Sequence, residues 1–296
     1  MGKKIAILGC GFVGLETARL FHAAGWETLG ITHTSESAAA LSDEPFRVLA
    51  CDLTSRETLE QLRTGIGHPD AVIHCASSGR GGADAYRRVY LDGLRNALDV
   101  LQPGTVVFTS STSVYAQTDG SEVKEESAAQ PERETGQILR EAEKLALARP
   151  GFVARLAGIY GPGRSALLQK FFDGRAVIEG NGARWLNHIH RDDAASALFF
   201  LLENNALPGI YNVSDDTPLT QLDCHRWLAS HFQKQLPPFG PIDPHRKRGW
   251  TNKRVSNQKL HALGWRPRFA SFPDALLHDP RLVSSMEKRG AESTRG

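Results

Sequence analysis

The segment KKIAILGCGFVGLETARLF, residues 3–21, decides the fold of this chain. An apolar run typical of a buried strand leads into a glycine turn, and the turn leads directly into an amphipathic helix. In this order Gly9 permits the tight turn, Gly11 lets backbone N–H groups approach a pyrophosphate, and Gly14 lets the helix pack on the strand. The segment therefore predicts a dinucleotide-binding turn formed by Gly9, Gly11, Phe12, Val13 and Gly14.

Strands and helices alternate through the first half of the chain. We predict strands at 27–32, 46–51, 71–75, 105–110 and 152–156, with helices at 13–24, 36–42, 55–64, 83–101 and 133–149. Short strands separated by helices imply a parallel sheet covered on both faces, with right-handed crossovers. The predicted fold is α/β, a doubly wound parallel-sheet Rossmann fold that binds its ligand at the carboxyl ends of the strands.

The alternation loosens after residue 157, where only a helix at 192–204 and a strand at 209–213 remain clear. This predicts a dinucleotide-binding core over 1–156 and a smaller substrate-binding subdomain over 157–279, which returns some elements to the core. Residues 280–296 are polar and are predicted to form a disordered tail.

Composition excludes several classes of protein. The formal net charge of +2 is too small to imply nucleic acid as a main partner, and no apolar stretch is long enough to span a bilayer. The N-terminus runs directly into the first strand, so no signal peptide is expected. The four cysteines form no CxxC pair, so neither a disulfide framework nor a metal site is predicted. These features predict a cytoplasmic enzyme that acts on a small molecule.

Motifs along nearly the whole chain carry a family resemblance. After the glycine turn come CDLTS (51–55), VIHCASSG (72–79), VYLDGLRNALDVL (89–101), VFTSSTSVYA (107–116), VARLAGIYGPGR (153–164), NHIHRDD (187–193) and GIYNVSDDTPLT (209–220). Their order and spacing resemble the extended short-chain dehydrogenase/reductase family, of the NAD-dependent epimerase/dehydratase type. The GxGxxG turn, where most extended members have GxxGxxG, indicates the atypical branch of that family.

The chemistry that the resemblance implies depends on a Ser or Thr, a Tyr and a Lys. The lysine and the cofactor lower the pKa of the tyrosine, so that the phenol exchanges a proton with the substrate. Ser111 matches the serine, but Thr135 stands at the tyrosine position and Leu139 at the lysine position. Thr112 and Ser113 replace the Asp-Glu pair of the dehydratases. None of the five tyrosines has a lysine four residues later, so the usual acid/base pair is missing.

Two side chains are candidates for the missing acid/base group. Tyr115 follows Ser111 by four residues, with packing or substrate contact as the alternative role. His190 lies in a segment that the family places near its substrate, where Asp192 is interpreted as a helix N-cap rather than a catalytic base. The predicted catalytic residues are Ser111, Tyr115 and His190.

The end of the second predicted strand indicates which cofactor is preferred. An acidic residue there would bind both ribose hydroxyls of NAD and repel a 2′-phosphate, but the first acid is Glu36. The side chains before it favour NADP(H) over NAD(H), because they can donate to a phosphate: Thr32, His33, Thr34 and Ser35. The resemblance implies further cofactor contacts, beside adenine and beside the ribose and phosphates, from Asp52, Leu53, Ala76, Ser77 and Ser78.

The substrate is defined only by charge. A basic stretch at 245–248 is followed by Lys253 and Arg254, and Arg184 and Arg191 are further candidates to face a substrate pocket. These residues are compatible with an anionic or sugar-like metabolite, or with a solvated basic loop.

The family resemblance also implies a homodimer. Helices 83–101 and 133–149 correspond to the pair that builds a four-helix interface in the family. The second helix carries an apolar stripe at helical spacing, made of Ile138, Leu139, Ala142, Leu145 and Ala146.

Two classes of function remain open because the Tyr-Lys pair is missing. One is an NADP(H)-dependent oxidoreductase or epimerase-like enzyme acting on a carbonyl or hydroxyl group. The other is a non-catalytic NAD(P)H-binding redox sensor or scaffold.

Overall fold

The computed structural model describes residues 2–79, 81–204, 206–243 and 250–284. Its strands are β1 (Lys4–Leu8), β2 (Glu27–Thr32), β3 (Arg47–Ala50), β4 (Ala71–His74), β5 (Thr105–Ser111), β6 (Glu122–Val123), β7 (Gly151–Leu156), β8 (Gly158–Tyr160), β9 (Ile178–Glu179), β10 (Trp185–Leu186), β11 (His188–His190), β12 (Gly209–Val213), β13 (Leu219–Thr220), β14 (Phe239–Gly240) and β15 (Arg254–Val255). Its helices are α1 (Gly14–Ala23), α2 (Ser35–Ala39), α3 (Arg56–Ile66), α4 (Ala83–Tyr86), α5 (Gly93–Leu101), α6 (Glu134–Leu147), α7 (Ala166–Phe172), α8 (Arg191–Glu203), α9 (Gln221–His231), α10 (Gln258–Ala262) and α11 (Phe272–His278). A π-helical segment, Arg87–Asp92, joins α4 to α5.

Seven strands form one sheet in the order β3-β2-β1-β4-β5-β7-β12. The pairings from β3 through to β5 are parallel. The chain moves outward from β1 through β2 to β3 and then restarts on the other side of β1 with β4. The strand order therefore reverses between β1 and β4, which confirms the doubly wound Rossmann topology and marks the place where such sheets bind ligands.

Local sequence explains why these elements form. Strands β4 and β7 are buried along their whole length, as the apolar runs of a covered parallel sheet predict. The side chain of Ser55 begins α3 by accepting a hydrogen bond from the N–H of Thr58. The apolar side of α3 then packs against the sheet through Leu59, Leu62 and Ile66.

The chain divides into two compact units, each of which is formed from several segments. The first comprises 1–114, 129–155 and 195–211, and the second comprises 115–128, 156–194 and 212–296. The first unit contains the glycine turn and strands β1 to β5. The second has an apolar core of its own, to which α7, α9 and α11 contribute Leu168, Phe171, Cys224, Leu228 and Phe272.

The tail prediction needs a correction at residues 280–284, which form a helical turn. Leu282 is fully buried and belongs to the apolar core of the second unit. Arg281 pairs with Asp192 and Asp279. These contacts order a segment whose polar composition suggested disorder. Residues 285–296 and the basic stretch at 245–248 lie outside the described residues.

The apolar stripe of α6 packs inside the first unit. Ile138, Leu139 and Ala142 are buried there, and the outward surface carries the Arg87–Glu141 ion pair. Core packing therefore accounts for the stripe, and the homodimer stays a prediction that light scattering at micromolar concentration can test. Within the described part of the chain, every helix is too short or too polar to cross a membrane.

Candidate functional site

The glycine turn follows β1 at the point where the strand order reverses. Gly9 has a φ of +92°, and a Cβ on it would lie 2.3 Å from the backbone nitrogen of Ala76. A Cβ on Gly14 would lie 2.2 Å from the carbonyl oxygen of Gly9, so the start of α1 packs directly on the turn. A Cβ on Gly11 would meet no atom within 4 Å. Space is therefore left beside Gly11, where a dinucleotide fold needs its backbone to approach a pyrophosphate.

The first turn of α1 suits an anion. Phe12 and Val13 connect Gly11 to the helix, and no side chain caps the helix at Val13. The N–H groups of a first helical turn have no partner within the helix and carry partial positive charge. The turn thus has the geometry and the polarity that bind a pyrophosphate.

The end of β2 is polar, as the sequence indicated. Thr32 is buried and its hydroxyl donates to the carbonyl oxygen of Thr34 at 3.2 Å. The hydroxyl of Thr34 accepts the N–H of Ser37, while Ser35 begins α2. His33 is exposed, and its Nδ1 lies 3.8 Å from Oδ1 of Asp52.

A cavity of about 680 Å³ opens beside this strand end, lined by residues that include His33, Thr34, Ser35 and Asp52. Oδ1 of Asp52 accepts from both the N–H and the hydroxyl of Thr54, at 2.9 and 2.8 Å. Leu53, which follows Asp52, is buried. The cavity therefore offers hydroxyls, an imidazole and the guanidinium of Arg47, together with the carboxylates of Glu36 and Asp52, of which Asp52 is already engaged by its own loop.

The loop after β4 contains Ala76, Ser77 and Ser78. Ser77 accepts the N–H of Gly79 at 3.3 Å. The hydroxyl of Ser78 is buried and has no hydrogen-bond partner among the residues that the structure describes. Because a buried hydroxyl is costly without a partner, this atom fits a ligand that supplies one.

Ser111 ends β5 and is partly buried. Its Oγ accepts the N–H of Ser113 at 3.2 Å, which leaves the hydroxyl proton for another acceptor. On α6, Leu139 is buried and Thr135 is only partly so. The family's lysine position is therefore part of the apolar core of the first unit.

A buried ionic cluster anchors α6 two turns after Thr135. The carboxylate of Glu143 is fully buried and accepts from Ser110 at 2.6 Å. Arg155 of β7, itself buried, donates to both of its oxygens, at 3.0 and 2.8 Å, and Arg140 adds a further ion pair. These contacts tie the helix to the two strands beside it. The sequence does not indicate these contacts, because nothing in the local pattern separates Glu143 from an exposed helical glutamate.

Tyr115, the first candidate for the missing acid/base group, is fully buried in the second unit. Its hydroxyl lies 2.9 Å from the carbonyl oxygen of Lys124 and 2.8 Å from Oδ1 of Asn212. Both neighbours are acceptors, so the phenolic proton is already committed. This geometry favours packing, the alternative role, over proton exchange with a substrate.

His190, the second candidate, is also fully buried. Burial lowers its pKa to about 4, against the opposing effect of the Asp192 and Asp279 carboxylates, so the ring is neutral near pH 7. Its Nδ1 accepts the N–H of Asp192 at 3.2 Å, and its Nε2 lies 3.3 Å from Oδ2 of Asp279. The imidazole of His190 therefore caps the N-terminus of α8, and the prediction that Asp192 is the N-cap is wrong.

Asp192, Asp279 and His190 place potential metal ligands within 4.8 Å of one another. However, Arg281 donates to Oδ2 of Asp192 at 2.7 Å and to Oδ2 of Asp279 at 2.9 Å. Arg191 forms a second ion pair with Asp192, so two guanidinium groups balance the two carboxylates and the group has the chemistry of a structural ion cluster.

Comparison with known proteins shows the family to which this chain belongs. The model of the NAD-dependent epimerase/dehydratase family matches residues 5–214. Protein YeeZ of Escherichia coli (strain K12) is 30% identical over 226 residues, which are 71% of this chain and 77% of that protein. The chain belongs to the NAD-dependent epimerase/dehydratase family, which confirms the resemblance found in the sequence.

Solved structures show the same fold. A protein from Methylobacillus flagellatus, described as an NAD-dependent epimerase/dehydratase, is similar with a TM-score of 0.76 and 30% identity, over 97% of this chain and all of the other. UDP-glucose 4-epimerase from Thermotoga maritima, solved with UDP-glucose, has a TM-score of 0.79 at 18% identity, over 97% of this chain and 99% of the other. The second similarity shows the fold alone.

Proposed function

We propose that this protein binds a nicotinamide dinucleotide at the glycine turn and uses it in an oxidoreductase or epimerase-like reaction on a carbonyl or hydroxyl group. The observation that carries the proposal is the difference in space around two glycines of the turn. A Cβ on Gly9 would collide with the backbone of Ala76, whereas a Cβ on Gly11 would meet no atom within 4 Å. The unpartnered hydroxyl of Ser78 supports it. When bound, the nicotinamide ring gives or accepts a hydride.

Residues of the first unit would have separate roles in binding the cofactor and in orienting the substrate. The N–H groups of the turn and of the first turn of α1 would hold the pyrophosphate, and Ser78 would donate to the same ligand. Ser111 would donate its free proton to the substrate oxygen and so orient the reacting carbon. Loss of one such hydrogen bond costs on the order of 1–3 kcal/mol, so Ser111→Ala should lower the best activity by roughly five- to a hundred-fold.

We propose NADP(H) as the preferred form of the cofactor. No carboxylate occupies positions 33–35, and His33 and Ser35 line the cavity at the end of β2. Calorimetric titration with NADPH and NADH tests this preference. Equal or tighter binding of NADH would contradict it, and His33→Asp should shift the preference toward NADH by placing a carboxylate at the ribose.

The substrate that we propose is a small anionic or sugar-like metabolite. In the second unit, burial and the nearby Arg184 lower the pKa of Lys253 to about 8. The ammonium donates to the hydroxyl of Thr251 at 2.8 Å. An anion bound beside a buried ammonium and a guanidinium would be stabilised, because it compensates their positive charge. The UDP-glucose of the Thermotoga epimerase is an anion of this class.

A screen for turnover distinguishes the two proposed functions, an enzyme and a non-catalytic redox sensor. Aldehydes, ketones and nucleotide sugars should be offered with NADPH while its absorbance is followed. Turnover that Ser111→Ala reduces supports the enzyme. Micromolar NADPH binding without turnover of any compound would favour the sensor. Its response would not depend on Cys10, because burial raises the pKa of that thiol to about 12 and leaves it protonated.

A further inference from the structure

The five tyrosines of the chain differ in whether a ligand can reach them. Tyr86, Tyr115, Tyr160 and Tyr211 are buried, whereas Tyr90 is partly exposed. The hydroxyl of Tyr211 donates to the carbonyl oxygen of Leu207 at 2.7 Å, and that of Tyr115 is enclosed by two acceptors. The structure shows no hydrogen-bond partner for the hydroxyl of Tyr90 among the described residues. Among the five tyrosines, all of which lie in the described residues, Tyr90 is therefore the one whose side chain is partly exposed to solvent.

Tyr90 lies near the carboxyl ends of the central strands. Its ring centroid is 6.3 Å from that of His74, the last residue of β4, and 6.4 Å from that of Phe108 in β5. His74 pairs in register with Leu8 on one side and Phe108 on the other. Leu8 directly precedes the glycine turn, and Ser111 ends β5 three residues beyond Phe108. The ring thus lies near the carboxyl end of β4, which is flanked by the strand that precedes the glycine turn and by the strand that ends in Ser111.

The backbone at Tyr90 is irregular. The residue lies in the π-helical segment Arg87–Asp92, a conformation that is rare and frequently found at functional sites. The neighbouring carbonyl oxygen of Val89 accepts the Nε2–H of His74 at 3.1 Å. Burial lowers the pKa of His74 to about 4, so its ring is neutral near pH 7 and makes this bond without carrying charge. His74 is therefore a positioning residue that holds the segment next to Tyr90.

We propose that Tyr90 is the phenol that exchanges a proton with the substrate, in place of the tyrosine that α6 lacks. The inference rests on the proposed function. In the reducing direction, the dinucleotide, when bound, would supply the hydride that the carbonyl carbon of the substrate needs. Tyr90 donates its phenolic proton to the carbonyl oxygen: the O–H bond of the phenol breaks and the O–H bond of the product alcohol forms. Water then returns a proton to the phenolate, which the partial exposure of the ring allows.

Tyrosine nitration tests the placement of Tyr90 without any substrate. Tetranitromethane should nitrate Tyr90 in the free protein before the four buried tyrosines, as mapped by peptide mass spectrometry. Saturating NADPH should slow nitration of Tyr90 by roughly tenfold or more, because only unliganded protein then reacts. Slow nitration in the free protein would overturn the inference. So would an unchanged rate in the presence of NADPH that calorimetry shows to be bound.

Tyr90→Phe tests the chemistry, and Tyr86→Phe is its matched control. Tyr86 lies one helical turn earlier, and its ring centroid is 4.9 Å from that of Tyr90. With a substrate from the screen, Tyr90→Phe should lower kcat by roughly 10²–10⁴-fold. The Kd for NADPH should change by less than about threefold, because the hydroxyl acts in the chemical step. Tyr86→Phe should retain the kcat of the wild type.

The failures of the two proposals are distinguishable. Absence of dinucleotide binding in the wild type overturns the proposed function and the role of Tyr90 with it. Binding together with a wild-type kcat in Tyr90→Phe overturns only the role of Tyr90. Where NADPH binds but no compound is turned over, protection from nitration decides whether Tyr90 faces the cofactor.

Discussion

The glycine turn after β1 and the first turns of α6 lie in the same unit. The turn keeps the glycines that a dinucleotide site needs, whereas α6 contains no Tyr-x-x-x-Lys pair. At the turn, Gly9 and Gly14 occupy positions where a Cβ would collide with backbone atoms. At α6, Thr135 and the buried Leu139 stand where the family resemblance predicts the tyrosine and the lysine. A site built from backbone geometry accepts few residue types at each position. A chemical group carried by a side chain can instead be supplied from another element.

The two regions also differ in what stabilises them. The turn depends on close backbone packing, whereas α6 depends on the buried carboxylate of Glu143 and the guanidinium of Arg155. Helix α6 thus supports β5 and β7 structurally, although it contains no tyrosine and therefore no Tyr-x-x-x-Lys pair. The following variants test this contrast.

The largest effect is expected from Gly9→Ala. Its new Cβ would lie 2.3 Å from the backbone nitrogen of Ala76, at a φ of +92°, so backbone must move. We expect the free energy of unfolding in urea to fall by about 4 kcal/mol or more.

Gly11→Ala is the control, because its Cβ meets no atom within 4 Å. Its stability should stay within about 0.5 kcal/mol of the wild type. Its affinity for NADPH should fall by roughly ten- to a hundred-fold, as the methyl group occupies space that the pyrophosphate needs. Similar unfolding curves for the two variants would contradict the distinction between a structural and a binding glycine.

Glu143→Gln should destabilise the first unit by about 3–5 kcal/mol, because the buried Arg155 loses its counter-charge. Glu141→Gln is the matched control on the same helix. Its partner is the exposed Arg87, so we expect a loss of at most about 1 kcal/mol. Denaturant unfolding of both variants measures the difference. A loss below 1 kcal/mol for Glu143→Gln would show that the buried cluster does not anchor α6.

His74→Gln should change how stability depends on pH. The folded state lowers the pKa of His74 from 6.5 to about 4, so in this window the unfolded chain binds the proton more readily. The contribution of the neutral ring is complete above pH 6.5 and is lost as pH falls toward 4. The stability difference between wild type and variant should therefore shift by about 3 kcal/mol over this range, against the wild type at low pH. Parallel stability curves from urea unfolding at several pH values would contradict this.

The smallest effect is expected from Tyr115→Phe. The buried hydroxyl bridges the carbonyl oxygen of Lys124 and the side chain of Asn212, so its loss should cost about 1–2 kcal/mol of stability. Turnover should remain that of the wild type, because two acceptors already hold the phenolic proton. A large fall in kcat with unchanged stability would instead return Tyr115 to the list of catalytic candidates.

Much of the fold could be predicted because its signals are local. Strands 27–32 and 209–213 match β2 and β12 at both ends, since each is an extended run bounded by polar or turn residues. The helix predicted over 83–101 is interrupted by the π-helical segment Arg87–Asp92. Its irregular hydrogen bonding accompanies the contact between His74 and Val89, which are fifteen residues apart in sequence, and no periodicity indicates it.

The sequence by itself determined the glycine turn, the alternation of strands and helices and the absence of the Tyr-Lys pair, because these depend on residue type and short-range order. Only the tertiary structure decided which of five chemically identical phenols is partly exposed and which glutamate of α6 is buried. Burial depends on contacts between distant segments, as when Ser110 and Arg155 converge on Glu143. A side chain's exposure, and with it the chemistry that it can perform, is therefore a property of the assembled fold.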